Sequence, residues 1–364
     1  MSREMRFFFV TVFFLIGLGV VMTYSASAIY AEYLYNNSVH FLVRQVMYAF
    51  FGIVLMLATA NIPVSFWKTN ARVMMLTAIF LLILAFAPLI GHAAGGARRW
   101  INLGFFNFQP AEFAKLAICI YLADYLSRKK KIIQKGSLKV FLPALFLVGC
   151  VCALILMQPD LGSCIFIFLI VGVLIFLVGI RLKYLWVASL VVIPIFYFLV
   201  MRVPYRLNRV LAFLNPWEDP QGTGFQIIQS FMAFSLGGVR GVGLGESMQK
   251  LFYLPSSYND FIFSIIGEEL GLIGVFVVMA AYIVIFVCGI RMAQRSAQDF
   301  ERLLVLAITF LIVLQAIIHM LVTTGLIPTK GLPLPFVSLG GTSLVMNLVA
   351  VGLLLGIDRQ HRRR

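Results

Sequence analysis

The sequence predicts an all-α polytopic membrane protein with about ten transmembrane helices. Apolar residues make up 62% of the 364-residue chain and charged residues only 12%. The apolar residues form continuous runs and do not alternate as they do in the strands of a β-barrel. A soluble domain is about one quarter charged. The composition therefore excludes a soluble enzyme, a secreted disulfide-rich scaffold and a disordered chain.

Apolar runs of the length needed to cross a bilayer define the predicted spans. They lie at roughly 7–30, 40–60, 72–91, 110–126, 139–157, 160–180, 182–202, 262–290, 303–326 and 338–357. The first run is too long for the apolar region of a signal peptide, so we expect it to be retained as a helix. We treat 1–364 as one membrane domain. Its longest segment outside the spans, 203–261, is predicted to be a large loop between the seventh and eighth helices that carries part of the functional site.

The basic residues predict which side of the membrane each loop faces. The net charge is +15, and most Lys and Arg residues lie at the two termini or in every second loop. The positive-inside rule therefore places both termini in the cytoplasm and 203–261 outside it. This topological role accounts for most of the charge, so we expect no nucleic-acid partner. The 5 cysteines and 4 histidines form no CxxC or Cys/His cluster, and they predict no metal site.

A smaller set of basic residues lies on the opposite, outer face. Arg98 and Arg99 belong to GGARRWINLG, Arg206 and Arg209 follow the seventh span, and Lys330 lies in IPTKGLPLP. These side chains either contact lipid headgroups or form a cationic pocket for a phosphate-bearing substrate. The residues alone leave both interpretations open.

Three further charged residues lie near the outer ends of predicted spans. Glu112 follows Pro110 in the first turn of a helix, where a carboxylate is favoured by the helix dipole. Lys115, three residues later, can form an ion pair with Glu112. The pair is either structural or faces a cavity, because charges within a membrane are costly unless they face water or the bundle interior. Asp160, in MQPDLGS, is either a helix N-cap or part of a site.

The segment around Asp260 permits two interpretations. In one, Ser257 is a helix N-cap and Asp260 is an acidic residue of the first turn. In the other, Asp260 is a carboxylate at the membrane surface that accepts a proton from a substrate hydroxyl. If the helix begins near Asp260, Ser264 and Glu268 lie on the same face and extend polarity into the bundle. Upstream, 225–237 is predicted to be a helix that lies at the interface or packs against the bundle.

Four segments carry a resemblance to a known family. QPAEFAK, MQPDLG, YLPSSYNDFIFSIIGEELGLIG and IPTKGLPLPFVSLGGTS resemble the signature segments of the SEDS family (shape, elongation, division and sporulation), which includes FtsW, RodA and SpoVE. The resemblance covers essentially the whole chain. GVGLGESMQKLFYLP and PTKGLPLPF are more similar to the cell-division branch, FtsW-like, than to the elongation branch.

The resemblance implies a peptidoglycan glycosyltransferase of the bacterial cytoplasmic membrane, acting at the division septum. Such an enzyme polymerises lipid II into β-1,4-linked glycan strands on the outer face by an inverting reaction. Its expected partners are lipid II, the nascent strand, a class B penicillin-binding protein and other divisome proteins. Asp260 matches the family's essential loop aspartate, so we expect it to be the general base. The other matching positions, expected to bind substrate, are Arg98, Glu112, Lys115, Asp160, Arg206, Arg209 and Lys330.

The resemblance also implies dependence on Mg²⁺ or Mn²⁺, with Asp260 as the one candidate ligand. Two other functions stay open: a lipid II flippase, and a non-catalytic divisome scaffold that recruits a transpeptidase. A transporter is expected to carry polar residues through the bilayer midplane. Here the candidates gather at the outer ends of the spans, which favours chemistry at the membrane surface.

Overall fold

The computed structural model describes residues 1–88, 91–94, 97–102, 104, 106–135, 137–180, 182–251 and 253–363. In these ranges the chain forms thirteen α-helices and one small sheet. The helices are α1 Arg3–Tyr35, α2 His40–Ala60, α3 Val64–Thr69, α4 Ala71–Leu84, α5 Pro110–Gln134, α6 Leu142–Met157, α7 Leu161–Leu177, α8 Leu182–Met201, α9 Pro204–Leu214, α10 Phe225–Gly237, α11 Ile262–Arg295, α12 Asp299–Thr323 and α13 Gly341–Arg363.

Each of the ten predicted spans overlaps one of these helices, and α2 coincides with its predicted range, whereas the helix of the third span, 72–91, ends at Leu84. Six described helices are long and apolar enough to cross a membrane: α1, α2, α6 with the 3₁₀ turn before it, α11, α12 and α13. The helical membrane fold is therefore confirmed, while the number of ten crossings stays a prediction. The helices α3, α9 and α10 lie outside the predicted spans.

A three-stranded antiparallel sheet, which the sequence analysis did not predict, connects α4 to α5. Its strands are β1 Gly91–Ala94, β2 Ala97–Asn102 and β3 Asn107–Phe108, in the order β1-β2-β3. Strands this short carry no readable alternation of apolar and polar residues. The register of β1 with β2 shifts between His92 and Ala93, opposite Arg99.

The two termini meet at one end of the bundle. The backbone N–H of Ser2 donates to Asp358 Oδ2 at 2.9 Å, and Arg295 forms an ion pair with Glu4. Because α11 ends at Arg295, the residues that precede α11 lie at the opposite end. The side of the membrane on which the termini lie stays a prediction.

The helix α11 is interrupted at Gly271, where φ is 65°. The segment between α10 and α11 bonds to the helix backbone at this interruption, since the Leu272 N–H donates to the Gly238 carbonyl at 3.0 Å. Close approach requires glycine here, because a Cβ on Gly241 would lie 2.1 Å from the Glu269 carbonyl oxygen. We call residues 238–261, between α10 and α11, the Asp260 loop. Its first half is thus held against the kink of α11.

Candidate active site

A cavity of about 840 Å³ lies at the end of the bundle opposite the termini. Residues from the starts of α2, α5 and α7, from α8 and α9, and from the segments before α11 and α13 line it. We call residues 324–340, between α12 and α13, the Lys330 loop. Six of the eight residues selected from the sequence line this cavity: Glu112, Asp160, Arg206, Arg209, Asp260 and Lys330.

Asp260 lies two residues before α11 and faces the cavity. Among the described residues, no hydrogen bond or ion pair involves its carboxylate. Burial raises the pKa of Asp260 to about 6, because removal from water disfavours the charged form, and nearby Arg209 partly offsets this rise. The side chain is half-buried, so it is shielded by protein yet open to the cavity. A carboxylate in this state can accept a proton near neutral pH.

The interpretation of Asp260 as a first-turn residue capped by Ser257 does not hold. The N-cap of α11 is Phe261, and the Ser257 hydroxyl donates to the Ala26 carbonyl at 3.1 Å. Asp260 therefore precedes the helix.

The expected polar row from Asp260 into the bundle does not form one surface. Ser264 lies 2.6 Å from the Ser230 hydroxyl on α10. Glu268 accepts hydrogen bonds from the Ser247 hydroxyl at 2.5 Å and the Met248 N–H at 2.8 Å. Both side chains are buried between α11 and its neighbours and do not line the cavity. The four-residue spacing fails because Asp260 is not in the helix. Packing against the bundle, one of the two predictions for 225–237, is observed.

Two arginines of α9 line the cavity together with Lys330. Arg206 and Arg209 are three residues apart, which places them on the same face of the helix. The Arg209 guanidinium donates to the Thr329 carbonyl at 3.2 Å and lies 4.5 Å from the centre of the Tyr205 ring. This contact joins α9 to the Lys330 loop. Burial lowers the pKa of Lys330.

Arg99, rather than Arg98, faces the cavity. Arg98 is exposed and lies outside the cavity lining. The Arg99 guanidinium donates to the carbonyls of Gln158 at 2.8 Å and Pro159 at 2.6 Å. The register of β1 with β2 shifts here, since His92 pairs with Trp100 and Ala93 with Arg98, which leaves Arg99 at a β-bulge-like irregularity. Arg44 of α2 also lines the cavity. The sequence analysis did not select it, because its position on the predicted outer side of the membrane was the only feature that pointed to it.

Glu112 and Lys115 form the predicted ion pair, with 2.7 Å between Lys115 Nζ and Glu112 Oε1. Only 5% of Glu112 and 3% of Lys115 is exposed. Lys115 also donates to Gln315 Oε1 at 3.0 Å. Glu112 lines the cavity, whereas Lys115 lies outside the lining. Lys115 therefore neutralises a cavity carboxylate and is not itself in a position to contact a ligand there.

Asp160 is the N-cap of α7, as one of the two interpretations predicted. Its carboxylate accepts hydrogen bonds from the Ser163 N–H at 3.0 Å and the Ser163 hydroxyl at 2.8 Å. The start of α7 also packs against the Lys330 loop. A Cβ on Gly162 would lie 2.8 Å from the Lys330 carbonyl oxygen. Asp160 thus lines the cavity and also caps the N-terminus of α7.

The Lys330 loop is non-helical backbone held from the bundle side by buried side chains. Prolines 328, 333 and 335 have no N–H, and the carbonyls of the loop need donors from elsewhere. Three buried residues of α11 and α12 contact these carbonyls: His319 Nδ1 lies 2.8 Å from Leu332 O, Gln315 Nε2 donates to Pro333 O at 2.8 Å and Tyr282 donates to Pro335 O at 2.5 Å.

The charged groups of the cavity do not form a metal site made by protein alone. In the described part of the chain there is no group of three His, Cys, Asp or Glu side chains suited to a metal ion. Glu112 is paired with Lys115, and Asp160 is occupied by Ser163. Asp260 is therefore the cavity carboxylate best able to accept a cation.

Residues 5–363 match the cell cycle protein family of FtsW, RodA and SpoVE. The chain belongs to this family. Among curated members, it is 46% identical to the probable peptidoglycan glycosyltransferase FtsW of Geobacter sulfurreducens over 340 residues, which are 93% of this chain and 91% of that one. It is 41% identical to the stage V sporulation protein E of Bacillus subtilis, with 96% and 95% of the chains covered.

Solved structures of the family show the same fold. A chain of a peptidoglycan synthase complex, whose structure concerns the coordination of polymerization and crosslinking, superposes with a TM-score of 0.81 at 28% identity, covering 98% of each chain. The rod shape determining protein RodA of Thermus thermophilus superposes with a TM-score of 0.69 at 25% identity, covering 97% of this chain and 96% of RodA. The family match and the apolar helices indicate a multi-pass membrane protein.

Proposed function

We propose that this chain is a peptidoglycan glycosyltransferase that polymerises lipid II into β-1,4-linked glycan strands, with Asp260 as the general base. The observation that carries the proposal is one carboxylate, with a pKa raised to about 6, in a cavity that it shares with several basic side chains. These are Arg44, Arg99, Arg206, Arg209 and Lys330. The names of the Geobacter relatives support the same activity.

The reaction requires a base and a stabilised leaving group. Asp260 accepts the proton of the acceptor GlcNAc 4-hydroxyl while the hydroxyl oxygen attacks C1 of the donor MurNAc. The bond from C1 to the diphosphate oxygen breaks, and its electron pair leaves with the diphosphate. A single displacement at an α-linked donor inverts the anomeric centre and gives the β-1,4 bond. The leaving group is already a stable anion, so no protonating acid is needed.

The basic side chains stabilise the charge that develops on the diphosphate. Arg209 has two roles in this mechanism. It lies on the cavity wall beside the Lys330 loop, where it binds the anion. Its charge also lowers the pKa of Asp260, which keeps more of the base ionised at neutral pH.

We also propose that Asp260 would hold a divalent cation, Mg²⁺ or Mn²⁺, beside the diphosphate of the substrate. Such ions are commonly held by one or two carboxylates together with substrate phosphates. The ion would add charge neutralisation at the diphosphate.

The proposed setting is the cytoplasmic membrane at the division septum, with both termini in the cytoplasm and 203–261 outside. We propose a class B penicillin-binding protein as the crosslinking partner, and other divisome proteins as further partners. The family match and the peptidoglycan synthase complex with a similar fold support a crosslinking partner. The preference for division comes from the FtsW-like segments and the FtsW-named relatives.

The test is polymerisation of lipid II by purified protein with its class B penicillin-binding protein. We expect Asp260→Asn to fold but to form no glycan strands. Glu246→Gln removes an exposed carboxylate from the same loop and is expected to retain wild-type activity. Strands formed at the wild-type rate by Asp260→Asn would exclude it as the base. A wild-type protein that forms no strands would favour the flippase or the scaffold, and a lipid II translocation assay would separate those two.

A further inference from the structure

Ser338 joins the Lys330 loop to the Asp260 loop. Its hydroxyl donates to the Asn259 carbonyl at 2.7 Å and accepts a hydrogen bond from the Leu334 N–H at 2.8 Å. A second bond between the two loops lies beside it, since the Leu339 N–H donates to the Tyr258 carbonyl at 3.1 Å. Only 2% of Ser338 is exposed, so water does not replace these bonds.

The two loops that Ser338 connects carry the groups with opposite roles in the proposed reaction. Asn259 immediately precedes Asp260, and Leu334 lies four residues after Lys330. The loops also approach each other directly at the carboxylate. A Cβ on Gly331 would lie 3.5 Å from Asp260 Oδ2. The position of the Lys330 loop therefore determines the space around the Asp260 carboxylate.

Building on the proposed function, we propose that Ser338 is a positioning residue that sets Asp260 relative to the Lys330 loop. Ser338 does not line the cavity, so it acts through the backbone that it holds. A serine hydroxyl suits this position because it donates one hydrogen bond and accepts another at the same time. Alanine would leave the Leu334 N–H and the Asn259 carbonyl without this partner in a buried place.

The expected consequence is a slower chemical step. Displacement of a reacting group by about 1 Å can reduce a rate roughly 100-fold. Of the five basic side chains proposed to bind the diphosphate, only Lys330 lies on the Lys330 loop, and the four arginines lie on other elements, so the apparent affinity for lipid II should change less than the rate. A positioning role thus predicts a fall in kcat with a nearly constant KM.

The experiment compares Ser338→Ala, Ser338→Thr and Ser27→Ala in complex with the class B penicillin-binding protein. We expect Ser338→Ala to reduce kcat for lipid II polymerisation by about 10- to 100-fold, with KM within about twofold of the wild type. Ser338→Thr keeps the hydroxyl, so it should restore most of kcat. Ser27→Ala removes an equally buried hydroxyl whose one bond within the described residues is to its own helix, at the Thr23 carbonyl, and should leave kcat unchanged.

Three outcomes would overturn the inference. They are an unchanged kcat in Ser338→Ala, a Ser338→Thr variant as slow as Ser338→Ala, and a loss in Ser338→Ala that appears only in KM. If Ser338→Ala cannot be purified, Ser338→Cys takes its place, since a thiol is a weaker donor of similar shape, and it must show the same fall in kcat.

The Asp260→Asn variant is assayed in parallel. If it retains activity, the proposed function fails. If it is inactive while Ser338→Ala is normal, only the positioning role fails.

Discussion

The rate of glycan polymerisation should fall steeply with decreasing pH, following the protonation of Asp260. Its pKa is raised to about 6 from an ordinary value of 3.8. The base is active only when ionised, so kcat/KM should follow the ionised fraction. With a pKa of about 6, that fraction is about nine tenths at pH 7 and about one tenth at pH 5, a tenfold fall. With the ordinary pKa, more than about nine tenths would stay ionised at pH 5, and the rate would hardly change.

Replacing Arg209 tests the cause of this pKa. The guanidinium favours the charged carboxylate and lowers the pKa of Asp260. Arg209→Gln should therefore raise that pKa and move the ascending limb of the profile to higher pH. Arg240→Gln, which removes an exposed arginine outside the cavity lining, should leave the limb in place.

The assay measures initial rates of strand formation from lipid II at low concentration between about pH 5 and pH 8, since kcat/KM reports the pKa of the free enzyme. The protein is returned to pH 7 after each incubation, to separate protonation from irreversible unfolding. A flat profile down to pH 5 would refute the raised pKa. A limb that moves to lower pH in Arg209→Gln would refute the assigned electrostatic effect.

Three further predictions concern residues in or beside the cavity. Lys115→Met should lower the free energy of unfolding in mixed micelles by about 3–5 kcal/mol, because it leaves the Glu112 carboxylate buried without its partner; the added change Glu112→Gln should recover much of the loss, and equal instability of the double variant would contradict this. Arg99→Ala should weaken lipid II binding in a direct binding assay, whereas Arg98→Ala should bind as the wild type does. Gly331→Ala should slow polymerisation and cost about 1–2 kcal/mol of stability, since φ is +62° at Gly331 and the new methyl would face Asp260; wild-type rate and melting temperature would contradict it.

The helices of this protein follow from local properties of the chain. A run of about 20 apolar residues is long enough to cross the bilayer, and its backbone must form its own hydrogen bonds there, which favours a helix. The second predicted span, 40–60, is therefore observed as His40–Ala60. Short-range pairs follow for the same reason. The ion pair of Glu112 with Lys115 and the capping of α7 by Asp160 depend on contacts three residues apart.

The assembly of the cavity depends on tertiary structure. Arg98 and Arg99 are chemically equivalent in the sequence, and of the two only Arg99, which lies at the irregularity in the pairing of β1 with β2, lines the cavity. Asp260 has the sequence context of a first-turn helix acid, but α11 begins after it. The residues before it are bonded to other elements, Ser257 to the Ala26 carbonyl of α1 and the Asn259 carbonyl to Ser338.

Ser338 and Asn259 are 79 residues apart in the chain, and no local pattern predicts their bond. The sequence by itself thus determined the helical membrane architecture and the types of residue available for chemistry. Only the packing of distant segments decided which of them meet around one space, because such contacts depend on the geometry of the whole bundle.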